Sequence, residues 1–395
     1  MRTTIYSIAL CLILGSAVYA KQRNHADGPT DAYVKHAAQI LKRQTLREAK
    51  RALRETPITI TAYRASRSAG GLHDFHSEGD YWWPNPQDPD GPYIQRDGLS
   101  NPDNFVEHRL ALIRFSEIIG TLASAYKLTG NQKYVRAAIP HLKTWFIDAE
   151  TRMNPSLLYA QAIKGQFTGR GIGIIDTIHL MEVAQGIRVM QAHIEPNELE
   201  LLKAWFAAYL DWLMTHPYGE AEMNAKNNHG TCFVMQVAAF AALTNDENRL
   251  SFCKERFKQV LLPDQMAADG SFPREINRTK PYGYSLFNLD AMAMICQILS
   301  SEEDNLWQYT TPDGKSMEKG IRYLFPYVRN KGTWPFPKDV MYWDNWPVAQ
   351  PFLFFGARAF GMDEWFETWS RLDHRPEMGE VVRNLPIRHP LIWIN

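Results

Sequence analysis

The chain has 395 residues, with 43 lysines and arginines against 43 aspartates and glutamates, so it is neutral overall at pH 7. That balance excludes the strongly basic face that nucleic acid selects, while leaving room for a local basic groove that binds a polyanion. Aromatic residues make up 12% of the chain, including 12 tryptophans, and they gather in a few clusters.

The N-terminus reads as an export signal. Arg2 supplies a short positive region and Ile5 to Leu14 an apolar one. Gly15, Ser16, Ala17 and Val18-Tyr19-Ala20 give the small residues that a signal peptidase needs, which predicts cleavage after Ala20. The apolar run falls short of the roughly 20 residues of a membrane span. Cys11 sits within it rather than at its end, where a lipoprotein would need it. The expectation is a soluble, secreted or periplasmic protein in which residues 21–395 form one domain. Three cysteines remain, Cys232, Cys253 and Cys296, an odd and widely spaced set without a CxxC pair. Such a set predicts neither a disulfide framework nor a structural zinc site.

Segments with helical spacing then follow one another at 31–55, 103–129, 132–148, 175–192, 197–215, 228–244, 247–261, 284–300, 316–329 and 347–360. Short turns such as Thr129-Gly130-Asn131 and Thr244-Asn245-Asp246 join them. Alternating, strand-like segments are scarce, so the fold class is all-α. Helical pairs recurring along a chain stack into a solenoid or close into a toroid. Here the unusual residues fall in the connections, which favours a toroid with a site built from loops.

The longest irregular segment runs from 56 to 102 and contains Asp80-Tyr81-Trp82-Trp83-Pro84-Asn85-Pro86. Its prolines and glycines predict no regular element, and a loop of this length in a compact domain is functional or disordered. The flat faces of Trp82 and Trp83, with Tyr81 and Tyr93 nearby, suit sugar rings, and Asn85 and Asp80 suit hydroxyls. Packing into the core is the alternative for the tryptophans. Further on, Gly165-Gln166-Phe167-Thr168-Gly169-Arg170-Gly171-Ile172-Gly173 has neither the preceding strand nor the GK[ST] of a phosphate loop. It reads instead as a tight loop aiming Arg170 at an anionic substrate.

Two more connections carry chemistry. Lys226-Asn227-Asn228-His229-Gly230 precedes an apolar helix, whose N-terminus favours negative charge; simple N-capping by an asparagine is the alternative. Phe272 to Tyr284 brings Arg274, Arg278, Lys280, Tyr282 and Tyr284 into one connection, or forms only a solvated loop. Together they suggest an elimination across C4–C5 of a uronic acid. Asn228, a protonated His229 and Arg278 would neutralise the substrate carboxylate, each such donor contributing about 10²–10³ in rate. Tyr284 would take the C5 proton and return one to O4, a contribution of about 10²–10⁴, its phenolate favoured by neighbouring cations.

At these residues the sequence resembles the alginate-lyase superfamily of (α/α)-toroid polysaccharide lyases. The resemblance rests on Tyr81 to Pro86, Thr151-Arg152-Met153-Asn154-Pro155, Gly169 to Gly173, Asn227 to Gly230 and Trp343-Asp344-Asn345-Trp346-Pro347. It is nearest to polysaccharide lyase family 38 and more distant from family 5. It implies an incomplete toroid of about six or seven helical hairpins and an active site without metal or cofactor. Asn228, His229, Arg278 and Tyr284 are then the catalytic residues, with Arg274 and Lys280 as competitors for the arginine and Tyr282 for the tyrosine. Trp82, Trp83, Asn85, Arg170, Asn227, Tyr282 and Lys280 are the expected substrate-binding residues.

The expected activity is β-elimination on an acidic polysaccharide: alginate with mannuronate-containing regions preferred, glucuronan as the runner-up. Mannuronate and glucuronate both hold the C5 proton and O4 syn, which one tyrosine can serve; guluronate holds them anti. The expected protein is a monomer with no nucleic-acid or membrane partner. The rival readings are a non-catalytic carbohydrate-binding protein and a hydrolase on the same toroid. A hydrolase would need a facing pair of carboxylates, and none stands out in these loops.

Overall fold

The computed structural model describes residues 29–394; the expected export signal lies outside the described residues. Among them the chain runs through α1 (Pro29–Ala52), α2 (Glu107–Thr129), α3 (Lys133–Phe146), α4 (Leu180–Met190), α5 (Pro196–Thr215) and α6 (Pro217–Met223). It continues through α7 (Asn228–Thr244), α8 (Glu247–Arg256), α9 (Leu262–Gln265), α10 (Pro273–Ile276) and α11 (Pro281–Leu299). The last helices are α12 (Met317–Arg329), α13 (Pro351–Phe360), α14 (Asp363–Arg371) and α15 (Gly379–Arg383). None is long and apolar enough to cross a membrane.

Helices α2, α4, α7, α11 and α13 pack side by side as an inner row. Helices α1 and α3 lie against α2, α5 and α8 against α7, and α12 and α14 against α13, while α1 also reaches α13 and α14 and curves the row into an (α/α) toroid. Sequence dictates which helix goes where. Every residue of α11 from Pro281 to Cys296 is buried, as expected of a helix that is apolar on all sides. The outer α12 buries only Met317, Gly320, Ile321, Leu324, Phe325 and Val328, one face at helical spacing. Between the layers Phe115 stacks on Trp145 with centroids 4.7 Å apart, and Phe146, Trp205 and Phe206 continue the cluster. Each such side chain, fully buried, contributes about 1.5–3 kcal/mol.

The C-terminal segment closes the middle of the toroid. Gln185 of α4 donates to the Ile392 carbonyl at 2.7 Å and Gln297 of α11 to that of Trp393 at 2.8 Å. Glu182 of α4 accepts the backbone N–H groups of Arg388 and His389 at 2.9 and 2.7 Å. The segment thus satisfies polar groups of inner helices that would otherwise be stranded in the core, and α15 is carried to the mouth of the cleft.

The region 56–102 corrects one expectation, because it holds short strands. β1 (His76–Glu78) pairs in parallel with β4 (Tyr159–Ala162), and β2 (Trp82–Trp83) pairs antiparallel with β3 (Ile94–Gln95). The prolines do not prevent this. Pro84, Pro86, Pro89 and Pro92 all fall between β2 and β3, where no ladder hydrogen bond is asked of them.

Candidate active site

A cavity of about 420 Å³ opens where five chain segments meet. The start of α7 supplies Asn227, Asn228 and His229; the α10–α11 connection supplies Arg278 and the first turn of α11 Tyr284; the β2–β3 hairpin and its flanks supply Tyr81, Trp82 and Asp97; and the tail supplies Arg383 and Asn384. Gln161 of β4 and Arg170 beyond it complete one wall.

Asn228 is held by Glu275 of α10, whose two carboxylate oxygens accept its backbone N–H at 2.6 Å and its side-chain amide at 2.8 Å. Glu222 of α6 accepts from Nδ1 of His229 at 2.7 Å. Burial opposes charge on the imidazole, but the Glu222 carboxylate outweighs it and raises the His229 pKa above its ordinary value. With Nδ1 engaged, Nε2 is the ring nitrogen left for a ligand. Gly230 allows this packing, since a Cβ there would stand 2.2 Å from the Ala225 carbonyl oxygen.

Arg278 is fixed by Asp97, with its Nη2 donating at 2.8 Å and its Nε at 3.3 Å, and its guanidinium lies 4.8 Å from the centre of the Tyr284 ring. Tyr284 sits in the first turn of α11, an end held by the Asp339 carboxylate, which accepts from the N–H groups of Tyr282 and Gly283 at 2.8 and 2.9 Å. Burial pushes the Tyr284 phenol above its usual pKa, against the opposing pull of Arg278 and the hydrogen bond it shares with Tyr81. The Tyr81 and Tyr284 hydroxyls are 2.5 Å apart.

The opposite wall is a lattice of ion pairs. Asp80 accepts from Arg109 at 2.8 Å and pairs with Arg383 at 2.6 Å. Burial works against the Asp80 charge, but the two guanidiniums hold its pKa far below the carboxylate range. Gln161, in a left-handed conformation with φ +54° that non-glycine residues seldom adopt, donates to Asp80 and Asp176 at 3.4 and 3.2 Å. Its carbonyl accepts from Arg170 Nε at 2.8 Å, and Arg170 lies 5.7 Å from the Trp82 ring centre. Gly79 makes room for both, since a Cβ there would come within 2.6 Å of Trp82 and 2.9 Å of Arg170.

A family model described as alginate lyase matches residues 59–334. The chain belongs to the alginate lyase family. A solved alginate lyase from Bacteroides ovatus is 31% identical, with 92% of this chain and 96% of that one covered and a TM-score of 0.78. Alginate lyase A1-III from Sphingomonas species A1 shares the fold at 15% identity, covering 86% and 91% of the two chains with a TM-score of 0.53. A variant of A1-III complexed with a tetrasaccharide gives 17% identity, 85% and 90% coverage and a TM-score of 0.54. No curated protein sequence matches.

In this polysaccharide lyase, Asn228, His229, Arg278 and Tyr284 line one cavity, together with Trp82, Arg170 and Asn227. The other expected binding residues do not reach it. Trp83 faces the other side of β2, donates to the Leu99 carbonyl at 2.9 Å and carries Arg96 over its ring. Asn85 accepts from the Gln87 N–H within the hairpin turn. Tyr282 lies two residues from Tyr284 on a helix and therefore on the other side; it is fully buried, and its hydroxyl donates to the Tyr327 carbonyl at 3.1 Å. Lys280 is buried behind Tyr81, paired with Glu380 at 2.8 Å. Arg274 is exposed, which leaves Arg278 as the arginine beside Tyr284. Asn227 does cap α7 through its side chain, as the simpler reading held, and lines the cavity as well.

Proposed function

We propose that this lyase cleaves alginate by β-elimination, acting on mannuronate-containing regions without a metal. One observation carries the reading: a tyrosine hydroxyl shares its cavity with an amide, an imidazole and a guanidinium, and both carboxylates lining that cavity are tied to arginines. Abstraction of the C5 proton makes the neighbouring carboxylate the seat of growing negative charge. Asn228, His229 as imidazolium and Arg278 supply preorganised donors for it. Tyr284 as phenolate takes the C5 proton, the C4–O4 bond breaks, and the phenol returns the proton to O4, leaving a 4,5-unsaturated end. One tyrosine serving both steps requires proton and leaving group on the same face, which supports mannuronate over guluronate.

The arginine-bound state of Asp80 and Asp97 argues against hydrolysis, which needs an acid and a base carboxylate free to exchange protons. The relatives named alginate lyases support alginate as the polymer; glucuronan, with the same syn relation, is the second substrate in order. Export after cleavage at Ala20 and action as a monomer complete the proposal. The test is one panel of polymannuronate, polyguluronate, mixed alginate and glucuronan, followed by the ultraviolet absorbance of unsaturated uronate. Fastest elimination on mannuronate-containing alginate is expected. A faster rate on glucuronan overturns the substrate, and activity confined to polyguluronate overturns the single-tyrosine mechanism.

A further inference from the structure

A phenolate at Tyr284 is opposed by its surroundings: the side chain is buried, and burial disfavours the charged form that must act as base. Its hydroxyl meets a second phenol, Tyr81, at 2.5 Å. Behind Tyr81 lies Lys280, whose Nζ donates to the Tyr81 oxygen at 3.3 Å and to Glu380 at 2.8 Å. The ammonium also sits over the rings of Tyr81 and Tyr342, 5.0 and 4.8 Å from their centres. Lys280 and Glu380 are 3% and 9% exposed, so this pair is shielded from solvent. Glu380 comes from α15 and is braced in turn by Arg383 at 3.6 Å.

The direction of these hydrogen bonds follows from what each group can do. An ammonium only donates, so the Tyr81 oxygen is an acceptor toward Lys280. Its own O–H is then free to donate, and the acceptor in reach is the Tyr284 oxygen. The chain therefore runs from Lys280 to Tyr81 to Tyr284 and presents a donor to the oxygen that must become negative. A hydrogen bond given to the charged form stabilises it.

We propose that Tyr81 and Lys280, anchored by Glu380 of the tail, are positioning residues that stabilise the Tyr284 phenolate and so set the pH at which elimination begins. Tyr81 keeps its proton throughout; the proton taken from C5 resides on Tyr284 until it passes to O4. The tail is thereby part of the reaction apparatus as well as a plug for the toroid. Burial raises the pKa of both phenols, and the Tyr81 bond and Arg278 act against it at Tyr284. Lys280 stays protonated because Glu380 and Tyr81 outweigh its own burial.

The inference rests on Tyr284 as the base, and Tyr284→Phe tests that separately: an active Tyr284→Phe enzyme removes the proposed function itself. With Tyr284→Phe inactive, the pH dependence of kcat decides the inference. Tyr81→Phe removes a hydrogen bond to a charged oxygen, so kcat at neutral pH should fall on the order of 10–100-fold. The acidic limb of the profile should move up by about 1–2 pH units, with activity recovering as the pH rises and KM little changed. Lys280→Met made together with Glu380→Gln, so that no buried carboxylate is left alone, should move the limb the same way. In the Tyr81→Phe background that pair should add nothing, because Lys280 acts through Tyr81. A Tyr81→Phe enzyme with an unmoved limb, or with kcat reduced equally at every pH, overturns the proposal. So does an effect of the Lys280 and Glu380 changes that persists without the Tyr81 hydroxyl. Thermal melts of each variant identify any loss of folded enzyme, and kcat is referred to the folded fraction.

Discussion

The charge on His229 depends chiefly on Glu222, with smaller opposing effects of Glu275 and Arg278, and Glu222→Gln isolates the main one. Glu222 is 1% exposed; one of its oxygens accepts from His229 Nδ1 at 2.7 Å, and the other has no hydrogen-bond partner. A buried carboxylate so placed holds a proton on its partner, and the His229 pKa is raised accordingly. Glutamine keeps an oxygen for Nδ1–H and keeps the ring in place, but removes the reason for the second proton. The imidazole then loses its charge as the pH rises past a lower value than in the parent. Losing a donor aimed at the developing charge is worth about 10²–10³ in kcat, so Glu222→Gln should be about 100-fold slower than the parent at mildly alkaline pH. The deficit should narrow as the pH falls and protonation returns. Stability follows the same linkage. The pair stabilises the fold fully below the unfolded imidazole pKa of about 6.5, and that contribution disappears as the pH rises through the raised folded value. Glu222→Gln should flatten this dependence. His229→Ala, by contrast, leaves the carboxylate buried and unpaired, at a cost of about 3–5 kcal/mol. The assay is kcat/KM on alginate from about pH 5 to about pH 9, with thermal melts over the same range. An alkaline limb in Glu222→Gln that coincides with the parent's refutes an imidazolium role for His229.

Tyr284→Phe should abolish turnover while substrate still binds, whereas Tyr282→Phe should keep turnover and lose about 1 kcal/mol of stability with its bond to the Tyr327 carbonyl; comparable activity losses in both would refute the separation. Arg170 makes no ion pair within 4.0 Å to a carboxylate among the described residues and lines the cavity, so Arg170→Ala should raise KM about tenfold with kcat nearly unchanged, and a fall in kcat alone would place it in the chemical step. Treatment with EDTA should leave the rate unaltered, since His229 and Arg278 supply the positive charge; inactivation reversed by calcium would refute the metal-free reaction.

The helices were legible because their signals are long. All ten expected segments contain a helix, and the turns at Gly130 and Asn245 adopt the left-handed conformation that a helix end demands. The cluster of Asn228, His229, Arg278 and Tyr284 was legible as residue types in connections. What stayed hidden was the set of carboxylates behind them. Glu222, Glu275 and Glu380 lie on α6, α10 and α15, of seven, four and five residues. Pieces that short show no 3.6-residue period. Pro217 and Pro273, each at the first position of its helix, were the available mark. The tail left no trace of its role at all, because Arg383 and Glu380 meet Asp80 and Lys280 across some 300 and 100 residues of chain, a coincidence that only closure of the toroid produces.

Those hidden carboxylates explain why the site works on an acidic polymer instead of being swamped by its own acids. Glu275 holds Asn228, Glu222 holds His229, Asp97 holds Arg278 and Glu380 holds Lys280, each brace coming from a different segment than the group it braces. Donors fixed in this way need no reorganisation when charge develops on the substrate. The cations beside Asp80, Asp97 and Glu380 hold these carboxyls below their usual range, so they cannot serve as the acid and base of a glycosidase. A lyase and a hydrolase on one toroid would therefore differ less in how many acidic residues they carry than in whether those residues are tied to cations. In this chain the two that line the cavity, Asp80 and Asp97, are tied to arginines.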